Sequence, residues 1–261
     1  MREYFRSIWN FRYFWMSLVR MDLRSRYRRS VIGMGWSLLH PIALTTTICV
    51  VFHQIFQVDI RHFAPYLLAG IATWGYIVSS TLSGCESYIQ AESYIRQCPA
   101  PMAIYPLRTT LGTSIHFLLA MSVVLVMAVF FKPEVFNLVA LATLPATLVM
   151  LFAFCWSLAV LGGLMNVFFP DTKHLFEVGF QILFYLTPVM WETRMVSDPF
   201  LALALQCNPL VHVLALIREP IIYGRVPSLM NYCVSCGLVA FFLTSASYAL
   251  YRLQRKVVFY L

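Results

Sequence analysis

The sequence predicts an all-α membrane protein with six transmembrane helices, an N-terminal amphipathic interface helix and a re-entrant helix pair before the last span. Hydrophobic residues make up 60% of the 261 residues and charged residues only 11%, whereas a soluble domain carries about 25% charged residues. In addition, Arg24, Arg26, Arg28 and Arg29 stop abruptly before an apolar run that begins at Val31. Because Lys and Arg collect on cytoplasmic flanks and cost about 2.5–3.5 kcal/mol each at the bilayer centre, this cluster marks the cytoplasmic end of the first span.

Residues 1–30 carry the pattern of an amphipathic helix that lies on the membrane. At the helical period of about 3.6 residues, one side is apolar and the other is rich in arginine, as in interfacial helices. The apolar side holds Tyr4, Ile8, Phe11, Trp15, Leu18 and Val19. Tyr13 and Asp22 interrupt the pattern, so we expect the helix to bend or end near Met21. The alternative is a basic tail that only fixes the topology.

Six apolar stretches follow, each compared with the roughly 20 residues that span a 30 Å hydrocarbon core. The predicted spans are residues 31–56, 64–85, 107–131, 137–168, 175–191 and 229–251. As one helix the fourth would be about 47 Å long, so we expect it to tilt, to bend near Pro145 or to project beyond the bilayer. No linker or repeat divides the chain, and residues 1–261 are predicted to form a single transmembrane domain.

The segment before the last span, residues 192–228, is predicted not to cross the membrane. It holds two short apolar pieces, residues 200–207 and 210–217, which are split at Asn208 and closed by Arg218 and the two residues after it. In this arrangement fourteen of the 19 Lys and Arg lie on the cytoplasmic side and five lie outside, Arg218 among them. This asymmetry favours six spans with both termini in the cytoplasm.

The loop between the second and third predicted spans, residues 86–106, is polar at its start and ends in Pro99, Pro101 and Pro106. Proline cannot continue a helix interior. The loop is therefore predicted to form a short helix followed by a rigid return.

Several catalytic signatures are absent from the sequence. It contains no G-x-x-x-x-G-K-[ST] loop for nucleotide phosphates, no H-E-x-x-H and no G-x-S-x-G. A proton- or ion-coupled carrier keeps ionisable residues inside its spans; His116 is the nearest candidate, and a packed, hydrogen-bonded histidine is the favoured interpretation. His53, Asp59 and His62 are too loosely spaced to predict a metal site. We therefore predict no catalytic or metal-binding residue, and attribute the net charge of +8 to topology and anionic lipid rather than nucleic acid.

Aromatic residues are abundant, with 21 Phe, 14 Tyr and 6 Trp. Interfacial belts explain many of them. Those of the second and fifth spans could instead stack on sugar faces along a conduit, and the sequence leaves both interpretations open. These residues are Tyr66, Trp74, Tyr76, Phe180, Phe184, Tyr185 and Trp191.

Five motifs spread over nearly the whole chain carry a family resemblance. They are D-L-R-S-R-Y-R-R-S-V-I-G-M-G-W-S-L-L-H-P-I at 22–42, Y-L-L-A-G-I-A-T-W at 66–74, F-P-D-T-K-H-L-F at 169–176, F-Y-L-T-P-V-M-W at 184–191 and N-P-L-V-H-V-L-A-L-I-R-E at 208–219. As a set they resemble the permease subunits of ABC transporters that export polysaccharides, such as O-antigen, capsular polysaccharide and teichoic-acid exporters.

The resemblance implies a homodimer around one conduit in the cytoplasmic (inner) membrane, which moves a lipid-linked glycan outward. It also implies two copies of a separate ATPase subunit that binds ATP and Mg, so that this chain holds no cofactor. That subunit would dock on the helix between the second and third spans, at Ala91, Glu92, Ser93, Tyr94, Ile95 and Arg96. We predict that the basic segment before the first span also holds it, because the rest of the cytoplasmic side consists of short turns and a brief tail. The residues of this segment are Asp22, Arg24, Arg26, Arg28 and Arg29. We predict that Tyr185 and Trp191 face the conduit, together with Phe180, Phe184, Tyr66 and Trp74.

Two alternatives stay open at this point. An intramembrane lipid-sugar or acyl transferase would need a cluster of acids or histidines at one membrane face. The sequence offers Glu86, Asp171, Lys173, His174 and Glu177 there. An ABC permease for drugs or other lipids would have a similar number of helices.

Overall fold

In the part of the chain that the structure describes, all regular secondary structure is helical and there is no strand. The computed structural model describes residues 2–28, 30–192, 198 and 205–261. Its helices are α1 (Arg2–Asn10), α2 (Arg12–Tyr27), α3 (Trp36–Phe56), α4 (Ile60–Glu86), α5 (Glu92–Gln97), α6 (Ile104–Phe131), α7 (Leu138–Leu141), α8 (Leu144–Phe168), α9 (Thr172–Leu186), α10 (Pro209–Ile222) and α11 (Leu229–Tyr260). Single 3-10 turns precede α3 at Gly33–Gly35 and α7 at Pro133–Val135.

The helices form a bundle with two distinct ends. The end that carries α1, α2, α5 and the last turns of α11 is called the terminal end, and the opposite end, which carries α10, is called the far end. One hydrophobic cluster lies at the terminal end, where Ile8 of α1 joins Tyr88, Tyr105 and Leu250. The larger cluster surrounds the first half of α4 and includes α10.

α4 lies at the centre of the bundle and packs on α3, α6, α8, α9 and α10. It approaches α8 closely at Gly84, where any side chain would overlap the backbone of Ala159. On α8, a Cβ at Gly163 would lie 2.7 Å from the carbonyl oxygen of Gly84 and 2.9 Å from the ring of Tyr88. Small residues at such a crossing let two membrane helices pack with their backbones in contact. This contact fixes the rotation of α4 within the bundle.

Within the described ranges, four helical segments are long and apolar enough to cross a membrane: Gly33–Ile55, Ile104–Phe131, Leu138–Phe168 and Leu229–Tyr260. They coincide closely with the predicted first, third and fourth spans, and the last of them extends beyond the predicted sixth span. α4 has 27 residues and is long enough to cross a membrane. Its composition is not apolar enough to identify it as a membrane span. α9 has 15 residues and is about 22 Å long, shorter than a 30 Å hydrocarbon core. Six spans therefore stay a prediction.

Two predicted boundaries can be compared directly with the structure. Of the three possibilities for the long fourth span, a break near Pro145 is observed, between α7 and α8. The expected bend near Met21 is wrong. The N-terminal segment breaks at Phe11 instead, and α2 runs through Asp22 to Tyr27. The Asp22 carboxylate does not end the helix because it is bound by Arg108 of α6 at 2.6 Å.

The segment before the last span contains α10. Its predicted start is confirmed: the Asn208 side chain accepts a hydrogen bond from the Leu210 N–H at 3.0 Å, and Pro209 occupies the first helical position. Its predicted end at Arg218 is wrong, because the helix continues through Pro220 to Ile222. Residues 200–207, the other predicted member of the re-entrant pair, fall largely outside the described residues.

Candidate functional site

Two adjoining cavities form a groove along the open face of α4. Their volumes are about 380 and 480 Å³, within the range of about 300–1,000 Å³ that is usual for ligand sites. Trp74, Gly75, Ser79 and Phe184 line both cavities. A Cβ at Gly75 would meet no atom within 4 Å, so the floor of the groove has open space above it.

One wall of the groove carries polar side chains from α3 and α6. Ser37 and His40 come from α3, and Thr113 and His116 come from α6. His116 Nδ1 hydrogen bonds with Ser37 Oγ at 3.0 Å. The Tyr27 hydroxyl of α2 hydrogen bonds with the same Ser37 oxygen at 2.7 Å and with His116 at 3.2 Å. The expectation of a hydrogen-bonded His116 is confirmed, and its partners join α2, α3 and α6 at this wall.

The other wall of the groove comes from α9. It presents Glu177, Phe180, Gln181 and Phe184. The Trp74 ring lies edge-on to Phe180, with centroids 6.1 Å apart, and 5.8 Å from the centroid of Phe184. These are ordinary separations for favourable aromatic pairs. The wall therefore combines packed rings with two exposed polar side chains, Glu177 and Gln181.

Arg26 stands at the terminal end of the groove. It lines the cavity that holds His40 and His116. It also lines an open polar cavity of about 440 Å³ with Ser25, Arg28 and Ser30. The groove thus meets a basic surface at that end.

The six predicted conduit residues fall into two groups. Trp74, Phe180 and Phe184 line the groove, and Tyr185, which is 65% exposed, lies next to Phe184 with ring centroids 5.5 Å apart. Tyr66 and Trp191 lie instead at the far end: Tyr66 is only 6% exposed, and its hydroxyl donates to the backbone oxygen of Trp191 at 3.0 Å. That these rings face a conduit stays a prediction.

A buried guanidinium organises the far end. Arg218 of α10 is 5% exposed, and its Cζ atom lies 3.7 Å from the centroid of the Tyr66 ring. Its Nη1 donates to the Tyr66 hydroxyl at 2.9 Å and to the Pro188 carbonyl at 2.7 Å, while its Nη2 donates to the Val189 carbonyl at 2.7 Å. Arg218 therefore ties α10 to α4 and to the turn that follows α9.

The charge count treats Arg218 only as one of the five charges outside and does not predict its burial. Gly70 leaves the space that the guanidinium fills, because a Cβ there would overlap its Nη2 atom. The partners of the guanidinium are neutral oxygens and a ring, and Glu192 adds a favourable negative charge nearby. Glu192 itself lies 3.3 Å from His62 Nε2.

The two predicted docking segments lie side by side at the terminal end. In α5, Ile95 and the preceding Ala91 are buried, whereas Ser93 and Arg96 are exposed. Tyr94 packs edge-on against Phe14 of α2, with centroids 6.1 Å apart. Glu92 pairs with Arg96 at 2.9 Å across one helical turn. The outward face of α5 and the neighbouring α2 thus form one surface.

In the basic segment, Arg24, Arg26 and Arg28 are exposed, and Arg29 lies outside the described residues. Asp22 differs from them, because its carboxylate accepts a hydrogen bond from the buried Arg108 of α6. Such a buried charge is costly without its partner. Asp22 therefore anchors α2 on the bundle.

Four of the five polar residues that would suit a transferase contact one another in two pairs. Lys173 Nζ donates to Glu86 Oε1 at 2.6 Å, which joins α9 to α4 and raises the pKa of the Lys173 amine. His174 lies 3.1 Å from Glu177. The described residues contain no group of three or more His, Cys, Asp or Glu that could hold a metal ion. Asp59, from the loosely spaced set, caps α4 by accepting from the Arg61 N–H.

Sequence reasoning missed the polar part of the groove. Glu177 and Gln181 are four residues apart in α9, as are Gly75 and Ser79 in α4, so each pair shares a helix face. That spacing was a usable signal. The contribution of Arg26 and His40 had no comparable signal, because it depends on how α2 and α3 pack.

The long apolar helices define a multi-pass membrane protein, and the groove between them suggests a transporter component. The family model of the ABC-2 type transporter matches residues 13–222. The chain therefore belongs to the ABC-2 type transporter family, and the resemblance inferred from the motifs is confirmed.

The chain is similar to several exporter components. An O-antigen export system permease protein, RfbA of Klebsiella pneumoniae, is 24% identical over 215 residues, which is 82% of this chain and 81% of that protein. RfbA of Myxococcus xanthus is 22% identical over 223 residues, or 85% of each chain. The polysialic acid transport protein KpsM of Escherichia coli is 24% identical over 249 residues, or 93% of each chain.

Replacing Arg218 tests its role as the anchor of α10. We expect Arg218→Gln to lower the melting temperature of the purified protein in detergent. The Pro188 and Val189 carbonyls would lose hydrogen bonds to a charged donor, each worth about 1.5–3 kcal/mol. The matched control is Arg225→Gln, because Arg225 is exposed at the same end and should have little effect. Equal melting temperatures for the two variants would show that Arg218 does not anchor α10.

Proposed function

We propose that the chain is the transmembrane subunit of an ATP-driven exporter that moves a lipid-linked polysaccharide, such as an O-antigen or capsule-like glycan. The observation that carries the proposal is the groove, which combines aromatic rings with polar side chains along a central helix. Relatives named for O-antigen export and polysialic acid transport support the substrate class. The chain itself is proposed to form only the pathway and to catalyse no reaction.

The chemistry of the groove suits a sugar chain. Sugars have apolar C–H faces and polar hydroxyl edges, so rings such as Trp74 and Phe184 would contact the faces while Gln181, Ser79 and His40 would hydrogen bond at the edges. Such contacts are individually weak and interchangeable, which allows a polymer to slide. Arg26 and Glu177 are the charged residues in the described lining, so most of the groove carries no fixed charge that would bind an anionic glycan tightly or repel it. We propose that Tyr185 and Trp191 extend this path toward the far end.

The groove also supports the proposal of a homodimer. Its floor is α4 and its walls are α3 with α6 on one side and α9 on the other, which leaves one side open. The neighbouring faces of α3 and α9 carry exposed apolar residues. A second copy packed on them would close the groove into a conduit.

Filling the groove should block export. Gly75→Phe would add a ring that projects into the open space above the floor, since no atom lies within 4 Å of a Cβ at this position. We expect at least a ten-fold loss of cell-surface polysaccharide at normal levels of the protein, measured in the native host.

The control is Gly237→Phe on α11, which also has no atom within 4 Å of its Cβ but does not line the groove. Unchanged export by Gly75→Phe would remove the groove from the transport path. An equal loss in both variants would indicate a general effect of the bulky side chain.

The energy source is proposed to be a separate ATPase subunit, present in two copies, which binds ATP and Mg. The exposed face of α5 and the arginines of α2 form the surface on which it would dock. Within the described residues, the other loops that join helices at the terminal end are short and offer little surface for docking. The ion pair between Asp22 and Arg108 would transmit a movement of α2 to α6.

A bulky residue on α5 should interfere with docking. Ser93 is exposed, so Ser93→Trp should leave the fold intact while reducing co-purification of the ATPase subunit at least five-fold. Glu134→Trp, in the exposed turn at the far end, is the control and should leave co-purification unchanged. Normal co-purification and export by Ser93→Trp would exclude α5 from the docking surface.

We also propose six spans, with the terminal end in the cytoplasm and the far end outside. α4 would cross because it is surrounded by helices that do, and α9 would cross with help from the turn after it. α10 would be one member of the re-entrant pair. Its backbone would be covered by the bundle, as membrane depth requires.

Two native cysteines at opposite ends test this topology. Cys207 is exposed next to α10, and Cys98 follows α5. In intact spheroplasts of the host, an impermeant maleimide should label Cys207, and it should reach Cys98 only after permeabilisation. Single Cys207→Ser and Cys98→Ser variants assign the label. Labelling of Cys98 in intact spheroplasts would contradict the proposed orientation.

A further inference from the structure

A separate cavity lies between α1, α8 and the last helix, α11, away from the groove. Its volume is about 170 Å³. Ile8 of α1 forms one side, Trp156 and Val160 of α8 form a second, and α11 forms a third with residues at the spacing of a single helix face. The α11 residues are Leu243, Ala246, Ser247, Leu250, Tyr251 and Gln254.

The lining of this cavity favours an apolar occupant. Most of its surface is aliphatic or aromatic, and an apolar cavity of about 150 Å³ stays free of water and binds hydrocarbon instead. α8 and α11 belong to segments that are long and apolar enough to cross the membrane. Ser247 and Tyr251 are exposed and mark the open side. The cavity is therefore open toward the lipid phase.

The charge next to the cavity selects among lipids. Gln254 gives the lining a polar edge toward the terminal end, and the exposed Arg255 and Lys256 follow it directly. Arg255 is four residues after Tyr251, so it lies beside Tyr251 at the edge of the face that lines the cavity. Helical side chains lean toward the helix N-terminus, which brings the Arg255 guanidinium back toward the cavity opening. A cation at that position suits a phosphate headgroup without a compensating positive charge.

We propose that this cavity is a binding site for one anionic glycerophospholipid. A segment of one acyl chain fills the space between α1, α8 and α11, the rest of the chain lies in the bilayer, and the headgroup lies against Arg255. The lipid fills a gap that protein side chains leave empty, and so it packs α1 against α11. Because α1 leads directly into α2, the occupancy of this site sets how firmly α1 and α2 are held against the rest of the bundle. The site is distinct from the groove and does not depend on the exported substrate.

Retained lipid measures this site directly. The full-length protein is reconstituted in nanodiscs of phosphatidylethanolamine and phosphatidylglycerol in equal amounts, extracted again and washed in detergent. Mass spectrometry then gives the amount of each lipid per protein. We expect preferential retention of phosphatidylglycerol. Ser247→Phe, which fills the cavity from its open side, should reduce that retention at least five-fold, and Arg255→Gln should do the same.

Two matched controls complete the experiment. Gly237→Phe adds the same ring to α11 away from the cavity, and Lys256→Gln removes the neighbouring charge; both should retain phosphatidylglycerol as the wild type does. Arg255→Gln changes only an exposed side chain, so it remains informative if Ser247→Phe fails to fold. Equal retention of the two lipids would overturn the anionic class. Unchanged retention in a folded Ser247→Phe variant, or in Arg255→Gln, would overturn the site.

Discussion

The close contact between α4 and α8 is the constraint on which the arrangement of the other helices depends. Gly84 and Gly163 bring the two backbones together, and this contact fixes which face of α4 is covered. Gly75 is nine residues before Gly84, and at about 100° per residue it lies on the opposite face. The same contact that buries one face of α4 therefore presents Gly75 and its neighbour Trp74 to the groove. A bulkier residue at Gly84 would push α4 away from α8 and would therefore also displace the groove floor, which α4 forms.

Arg218 fixes the far end by a different physical means. A buried charge is tolerated only where its donors are satisfied, and here a tyrosine ring and three oxygens satisfy most of them. Those oxygens come from α4 and from the turn after α9, so the cation holds three parts of the chain together. α9 also ends just before Pro188, whose carbonyl is one of these oxygens. The outer end of the groove is thus positioned by one side chain of α10.

Composition and charge were enough to predict a helical membrane protein, and the lengths of the apolar stretches located most of its long helices. Trp74, Phe180 and Phe184, which line the groove, were among the aromatic residues that the sequence analysis proposed for the conduit. They could be proposed because the aromatic residues of the second and fifth spans are visible in the sequence. The burial of Arg218 was not predicted, since its partner Tyr66 is 152 residues away and no local pattern connects them. Asp22 was misread as a helix end for the same reason, its partner Arg108 being on another helix. Local patterns predict elements, whereas buried charges depend on contacts that only the folded chain creates.

The terminal end and the groove share side chains, which gives a physical route between them. Tyr27, the last residue of α2, hydrogen bonds with Ser37 and His116 in the groove wall, and Arg26 beside it lines the groove. Asp22 in the same helix binds Arg108 at the base of α6. A displacement of α2 cannot leave these contacts unchanged, because α3 and α6 would have to follow or the hydrogen bonds would break. A force applied to the surface formed by α2 and α5 would therefore act first on the α3 and α6 wall of the groove, while α9 on the opposite wall is held separately by Lys173 and Glu86.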